Sequence, residues 1–219
     1  MLRLPDVTLV MVETRRHEIA RLVALDALRK VEFGDVVVLS DRNLRIPGAR
    51  WVAIEDAPDK IGWERQFWYE TPKHVRTSHM LFVEWDAGVW CPSHWRADYL
   101  AYDYVGAPWW WYPVLNVGNG GFSLRSRELI QHVARNAYWM PVREPGDNVL
   151  CRLYRPRLEL CGFKWAPFDL AMLFSLERTR PAENSRHFGF HGVFNWQHCL
   201  DPDELERRRA ILGMLPEAA

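Results

Sequence analysis

Val7–Val12, VTLVMV, is an unbroken apolar run rich in β-branched residues, the pattern of a strand covered on both faces. The chain then turns polar at Glu13-Thr14-Arg15-Arg16, and Ile19, Leu22, Val23, Ala27, Leu28 and Val31 recur at helical spacing. This spacing predicts an amphipathic helix over about residues 16–32, ended by Gly34. Val36–Leu39, VVVL, reads as a second buried strand closed by Ser40-Asp41. Strand, helix and strand make a βαβ unit with a right-handed crossover. Such an opening commits the chain to an α/β fold on a mainly parallel sheet flanked by helices.

The remaining pattern extends that fold. A helix is predicted over about 62–77, with a kink or break at Pro72, followed by a buried strand at Met80–Val83 that runs directly into Glu84-Trp85-Asp86. Short strands are expected at Tyr104–Ala107 and Gly121–Leu124, with Ser126 capping a helix at about 127–137. Asp147 reads as the N-cap of a helix at about 148–154, and Asp203–Met214 as a last amphipathic helix. No repeat or linker interrupts the alternation. The 219 residues suit one domain, large enough to bury its own core.

Lys+Arg and Asp+Glu balance at 28 each, which weighs against a nucleic-acid backbone as the main partner without excluding a local basic cleft. Cys91, Cys151, Cys161 and Cys199 show no CxxC pair and no zinc spacing; reduced, mostly buried thiols are expected. The N-terminal segment lacks the pattern of a signal peptide. No apolar stretch approaches the roughly 18 residues of a membrane span. A cytoplasmic protein is expected, with peripheral membrane contact left open. Twelve tryptophans, concentrated between Trp51 and Trp111, could fill a core or offer platforms to a sugar or nucleobase.

In open α/β sheets ligands bind beyond the carboxyl ends of strands. Glu13-Thr14-Arg15, Ser40-Asp41 and Glu84-Trp85-Asp86 occupy such ends. Neither a P-loop nor a GxGxxG fingerprint is present, so the bare loop Asn116-Val117-Gly118-Asn119-Gly120-Gly121 implies close backbone approach to a ligand or a neighbouring element. Glu84 and Asp86, two apart on a strand end, can turn toward one divalent cation that in turn holds a diphosphate; a solvated acidic loop is the plain alternative. His191, in Phe188-Gly189-Phe190-His191-Gly192, is a candidate metal ligand, phosphate donor or structural histidine. Joined to the acidic pair it would favour Mn²⁺ over Mg²⁺. Asp147 could serve as general base, helix cap or both.

Together these pieces resemble a known family. ETR after the first strand, WD after a buried strand, YDYVGAPW (Tyr102–Trp109), VGNGGFSLR (Val117–Arg125) and FGFHG follow in an order similar to that of a bacterial and viral family catalogued as a domain of unknown function and regarded as GT-A-type glycosyltransferases. The resemblance spans roughly residues 6–195. It implies that Asp86, with Glu84, takes the place of the metal-binding acidic motif and that His191 completes the metal or diphosphate shell. It implies a base role for Asp147. It further implies that Glu13, Thr14, Arg15 and Asp41 hold the nucleotide base and ribose, with Trp85, Asn119, Gly120 and Gly121 along the donor. Trp109 and Trp110, with Trp111, would form an aromatic wall that meets the acceptor.

The expected function is therefore metal-dependent transfer of a sugar from a nucleoside diphosphate sugar to a hydroxyl-bearing acceptor, with carbohydrate as the leading acceptor class. A non-catalytic carbohydrate- or nucleotide-binding module, and a transferase acting on hydroxymethylated DNA bases, remain alternatives. The stereochemical course, the donor and the oligomeric state are left open. A nucleotidyltransferase would usually carry a Gly-rich loop where ETRR stands.

Overall fold

A computed structural model describes residues 1–57, 59–136, 145–178 and 187–214. The opening unit consists of β1 (Leu2–Val12), α1 (His17–Lys30) and β2 (Val31–Ser40). Gly34 does not end the helix as expected. The strand begins at Val31, and Gly34 lies inside it where a methyl group would overlap the Pro5 carbonyl, beside a shift in the β1–β2 register between Leu4 and Thr8.

Next come β3 (Arg50–Ala53), α2 (Lys60–His74), β4 (His79–Val83), β5 (Gly88–Val89), β6 (Tyr104–Gly106) and β7 (Phe122–Ser126). Asp59 starts α2 by accepting from the Gly62 N–H at 2.7 Å. Pro72 falls in its last turn and does not break it. The second half contains α3 (Arg127–Arg135), α4 (Gly146–Asn148), a π-helical turn at Val149–Leu153, α5 (Arg155–Leu160), α6 (Phe168–Phe174), β8 (Ser175–Leu176), β9 (Gly189–Phe190), α7 (Trp196–Cys199) and α8 (Pro202–Met214). Ser126 caps α3 as expected, accepting from the Leu129 N–H at 3.1 Å.

The main sheet has the order β3-β2-β1-β4-β7-β6. Its first four strands are parallel, while β7 runs antiparallel to both β4 and β6. Strand alternation divides the core. Leu9, Met11, Val36, Val38, Leu81 and Val83 face the apolar stripe of α1, Ile19-Ala20-Val23-Ala24-Ala27. Val10, Val12, Val37, Leu39, Met80 and Phe82 cluster on the other face with Phe67 and Trp68 of α2 and Leu129, Ile130 and Val133 of α3.

A second sheet, β5-β9-β8, positions the site. Its pairing of Gly88 with Phe190 carries the segment after Glu84-Trp85-Asp86 against the segment that ends in His191. Two side chains from the C-terminal part hold that acidic turn by its backbone. Trp196 Nε1 donates to the Asp86 carbonyl at 3.0 Å, and the fully buried Arg208 donates from Nη1 to the Ala87 carbonyl at 3.2 Å. Glu204 neutralises that guanidinium at 2.9 Å.

The tryptophan run proves to be divided in role. Trp109 is only 5% exposed and belongs to the core, whereas Trp110 is 60% exposed. The Trp109 ring packs against Gly118, where a methyl group would overlap it. Gly106 likewise abuts the Gly118 carbonyl. Much of the bareness of the loop is thus explained by packing within the chain. Gly118→Ala should cost about 1–3 kcal/mol through overpacking, lowering the melting temperature by roughly 3–10 °C in a thermal scan. A variant as stable as the native chain would contradict this account of Gly118. The cysteines are all free, with Cys151 and Cys199 buried, Cys91 half-buried and Cys161 exposed, so only two of the four match the expectation of buried thiols.

Candidate active site

A cleft of about 410 Å³ opens beyond the carboxyl ends of β1 and β4, bounded by α2, the Gly-rich loop and the start of α4. Glu13, Thr14, Arg15, Glu84, Trp85, Gly120, Gly121, Asp147 and His191 all line it. Residues far apart in sequence are thereby brought to one place by the two sheets.

At one end, ligand atoms of Glu84, Asp86 and His191 lie within 4.8 Å of one another, a cluster that could hold a divalent metal. His191 Nε2 is 3.4 Å from Asp86 Oδ1 and 3.6 Å from Glu84 Oε2. Burial alone would lower the basicity of His191, but the carboxylates of Asp86, Glu177 and Glu84 outweigh it and raise the pKa well above the histidine range. Asp86 Oδ1 is buried with His191 Nε2 as its charged neighbour and no shorter hydrogen bond, which leaves it able to turn to a cation. Two carboxylates and an imidazole suit such an ion. Asp86 sits behind the cleft wall; Glu84 and His191 face the open space. The His191 ring rests on Gly121, leaving no room for a side chain there.

Asp147 lines the same cleft. It is not the helix cap expected from sequence, because α4 starts at Gly146 with Pro145 in the cap position and no capping side chain. Freed from that duty, its Oδ2 accepts from the Gly120 N–H at 3.2 Å and its Oδ1 from the Asn148 N–H at 2.8 Å. Both Gly120 and Asp147 therefore meet at the cleft wall, joining the Gly-rich loop to the candidate base.

The first-strand residues form a rigid corner. Glu13 Oε1 accepts the backbone N–H groups of Arg15 (2.7 Å) and Arg16 (2.8 Å). Burial pushes the Glu13 carboxyl upward in pKa, and those two hydrogen bonds offset part of the rise. Arg15 Nε donates to the Ala57 carbonyl at 3.3 Å, and the Arg16 guanidinium lies 4.1 Å above the Trp85 ring, a cation–π contact.

Other expected site residues lie elsewhere. Asp41 does not line the cleft; it pairs with His17 Nε2 at 2.6 Å, while Arg42 meets His17 Nδ1 at 2.6 Å. Trp109 and Trp110 do not line it either, the first because it is packed on Gly118 and the second because it projects into solvent. The aromatic rings that do line the cleft are those of Trp63, Phe67, Trp68, Phe82 and Trp85. Asn119 stands just outside the cleft, its amide 3.0 Å from His191 Nδ1.

Sequence reasoning missed Glu64. It is buried, accepts from Trp68 Nε1 at 2.8 Å and the Gly146 N–H at 2.9 Å, and burial raises its pKa despite both bonds. Its signal was an acid four residues before Trp68, on the helix face that packs inward. Arg125 closes the VGNGGFSLR stretch. Only 2% exposed, it is caged by Phe67, Trp68, Phe82 and Tyr104 at 4.8–5.6 Å. With Arg15, Arg16 and Lys60 it faces the acids Glu13, Asp59, Glu64, Glu84 and Asp147, so the cleft is mixed in charge and not a basic groove.

The fold is that of the GT-A glycosyltransferases, seen in three solved structures that each align with 95% of this chain. A glycosyltransferase involved in glycosylation of the major capsid of PBCV-1 matches at TM-score 0.56 and 12% identity, over 100% of its own length. The apo form of glycosyltransferase GlyE from Streptococcus pneumoniae TIGR4 matches at 0.53 and 11%. The chain spans 62% of that enzyme, less than two thirds of its length. Mannosyltransferase PcManGT from Pyrobaculum calidifontis, solved with GDP-Man and Mn²⁺, matches at 0.51 and 15% over 74% of its length. The chain belongs to the family described as "Protein of unknown function (DUF5672)", matched over residues 48–191. No curated protein matches it. Among the described residues no helix is long and apolar enough to cross a membrane.

Proposed function

We propose that the chain is a single-domain, metal-dependent glycosyltransferase that moves a sugar from a nucleoside diphosphate sugar to a hydroxyl, with carbohydrate as the acceptor class. The observation that carries this reading is the meeting of the Glu84/Asp86/His191 cluster and Asp147 in one cleft. The Pyrobaculum enzyme of the same fold was solved with a nucleotide sugar and Mn²⁺, which supports the donor class and the choice of Mn²⁺.

Asp86, Glu84 and His191 would hold the divalent ion. When bound, that ion offsets the negative charge growing on the leaving diphosphate. Glu13, Thr14 and Arg15, fixed by backbone bonds, form the nucleotide end, and Gly120 and Gly121 lie along the sugar. For transfer with inversion, Asp147 removes the proton from the acceptor hydroxyl as its oxygen bonds to the anomeric carbon. The bond from that carbon to the diphosphate oxygen breaks, and nucleoside diphosphate leaves with the bonding pair.

The test is thermal stability against UDP, GDP, CDP, CMP and dTDP and their sugars, with Mn²⁺ or with EDTA. A nucleotide at a hundred times its Kd adds about 2.7 kcal/mol, a melting shift of roughly 5–10 °C for a chain of this size. A shift with one nucleotide family that EDTA abolishes is the expected result. No shift with any nucleotide would overturn the reading in favour of a non-catalytic sugar-binding module.

A further inference from the structure

His191 has two ring nitrogens, and only one faces the acidic cluster. Nε2 points to Asp86 and Glu84. On the opposite side, Nδ1 lies 3.7 Å from Glu177 Oε1 and 3.0 Å from the Asn119 amide. Two oxygens around that nitrogen's neighbours, Glu177 Oε2 and Asn119 Oδ1, are buried with no hydrogen-bond partner. A half-turn of the Asn119 amide presents its oxygen in place of its nitrogen. The surroundings of Nδ1 are thus rich in unfilled acceptors.

Glu177 is no chance surface acid. Its side chain is 10% exposed, and its backbone is tied to that of His191. Asn195 Nδ2 donates to the Glu177 carbonyl at 2.7 Å and the His191 carbonyl at 2.8 Å. The His191 N–H donates to the Leu176 carbonyl at 3.0 Å. Among the described residues its other charged neighbour is Arg178, 3.9 Å away and 64% exposed, too open to solvent to account for a carboxylate held here. Nor is Glu177 placed as a further metal ligand, since it approaches the ring from the side away from Asp86 and Glu84.

A histidine that ligates a metal through one nitrogen commonly donates its other N–H to a carboxylate or carbonyl, which fixes tautomer and ring orientation. We propose that Glu177 is the positioning residue of this metal centre. Its Oε1, 3.7 Å from Nδ1, would receive the Nδ1–H of His191 when a metal ion is bound, with the Asn119 amide turned to second it, so that the Nε2 lone pair faces Asp86 and Glu84. This inference rests on the metal site proposed above and adds to it a residue outside the cleft.

The test measures Mn²⁺ affinity of the metal-free protein, without nucleotide, by the electron paramagnetic resonance of free Mn²⁺. Glu177→Ala is expected to weaken binding about 10–100-fold. Glu177→Gln retains an oxygen that can accept from Nδ1–H and is expected to stay within about threefold of the native protein. Melting curves of both variants show whether the fold is kept; the Gln variant, closest in shape, guards against simple misfolding of the Ala variant. Equal losses in the two variants would overturn the proposal, because both remove the charge and only one removes the acceptor. Native affinity in Glu177→Ala would overturn it as well. Absence of Mn²⁺ binding by the native protein would instead bring down the metal site itself, and this inference with it.

Discussion

Replacing Asp147 by Asn should lower sugar transfer by about 10²–10⁴-fold, the range expected when a general base is removed, while nucleotide affinity stays within a few-fold of native. The Asp147 carboxylate receives one N–H from Gly120 and one from Asn148, so it is held in place by backbone. Asn offers a single oxygen and keeps only one of those bonds, a local cost of about 1 kcal/mol. That is small beside the 2.7–5.4 kcal/mol that the rate loss represents. Steady-state rates at saturating donor, with the donor-induced melting shift as control, separate the two effects. A rate near native would remove Asp147 from the chemistry. A lost melting shift would instead assign it to binding.

Asp86→Ala should act on a different step. Its buried Oδ1 has His191 Nε2 at 3.4 Å and no shorter hydrogen bond, and its backbone is clamped by Trp196. Removing this carboxylate leaves Glu84 and His191 as an incomplete set. The Mn²⁺-dependent part of the nucleotide melting shift should vanish, and transfer should fall about 10³-fold, close to 4 kcal/mol. Glu84→Ala is expected to be milder, since the Glu84 side chain is 29% exposed against 15% for Asp86 and water can occupy its place. Calorimetric titration of nucleotide with and without Mn²⁺ measures both. Unchanged Mn²⁺ dependence in Asp86→Ala would dissolve the proposed ligand set.

Much of the fold could be read directly from local pattern. VTLVMV, VVVL and MLFV gave their strands because strands buried on both faces need unbroken apolar runs, and the ends of two of these strands open on the cleft. The pieces that escaped are those whose reason lies far away in the chain. β5, β8 and β9 are two residues each, too short for any periodicity, yet they carry His191 to Asp86. Asp147 has the composition of a cap and is the second residue of the helix instead, a displacement no local rule reports. The three tryptophans look alike in sequence, and only the contact with Gly118 separates Trp109 from its neighbours. Glu64 and Glu177 gain their interest from partners 82 and 14 positions away, Gly146 and His191, which no window of sequence contains.

The grip of the final helix on the acidic turn has a consequence for biosynthesis. Arg208 secures the Ala87 carbonyl only after more than a hundred further residues have been added to the chain. While the nascent polypeptide emerges, the sheet can close around β1, β2 and β4, but the turn bearing Asp86 lacks its last brace until α8 clears the ribosome. Completion of this centre thereby waits for the α8 segment, and a chain stalled or clipped before Arg208 would fold its scaffold ahead of its chemistry.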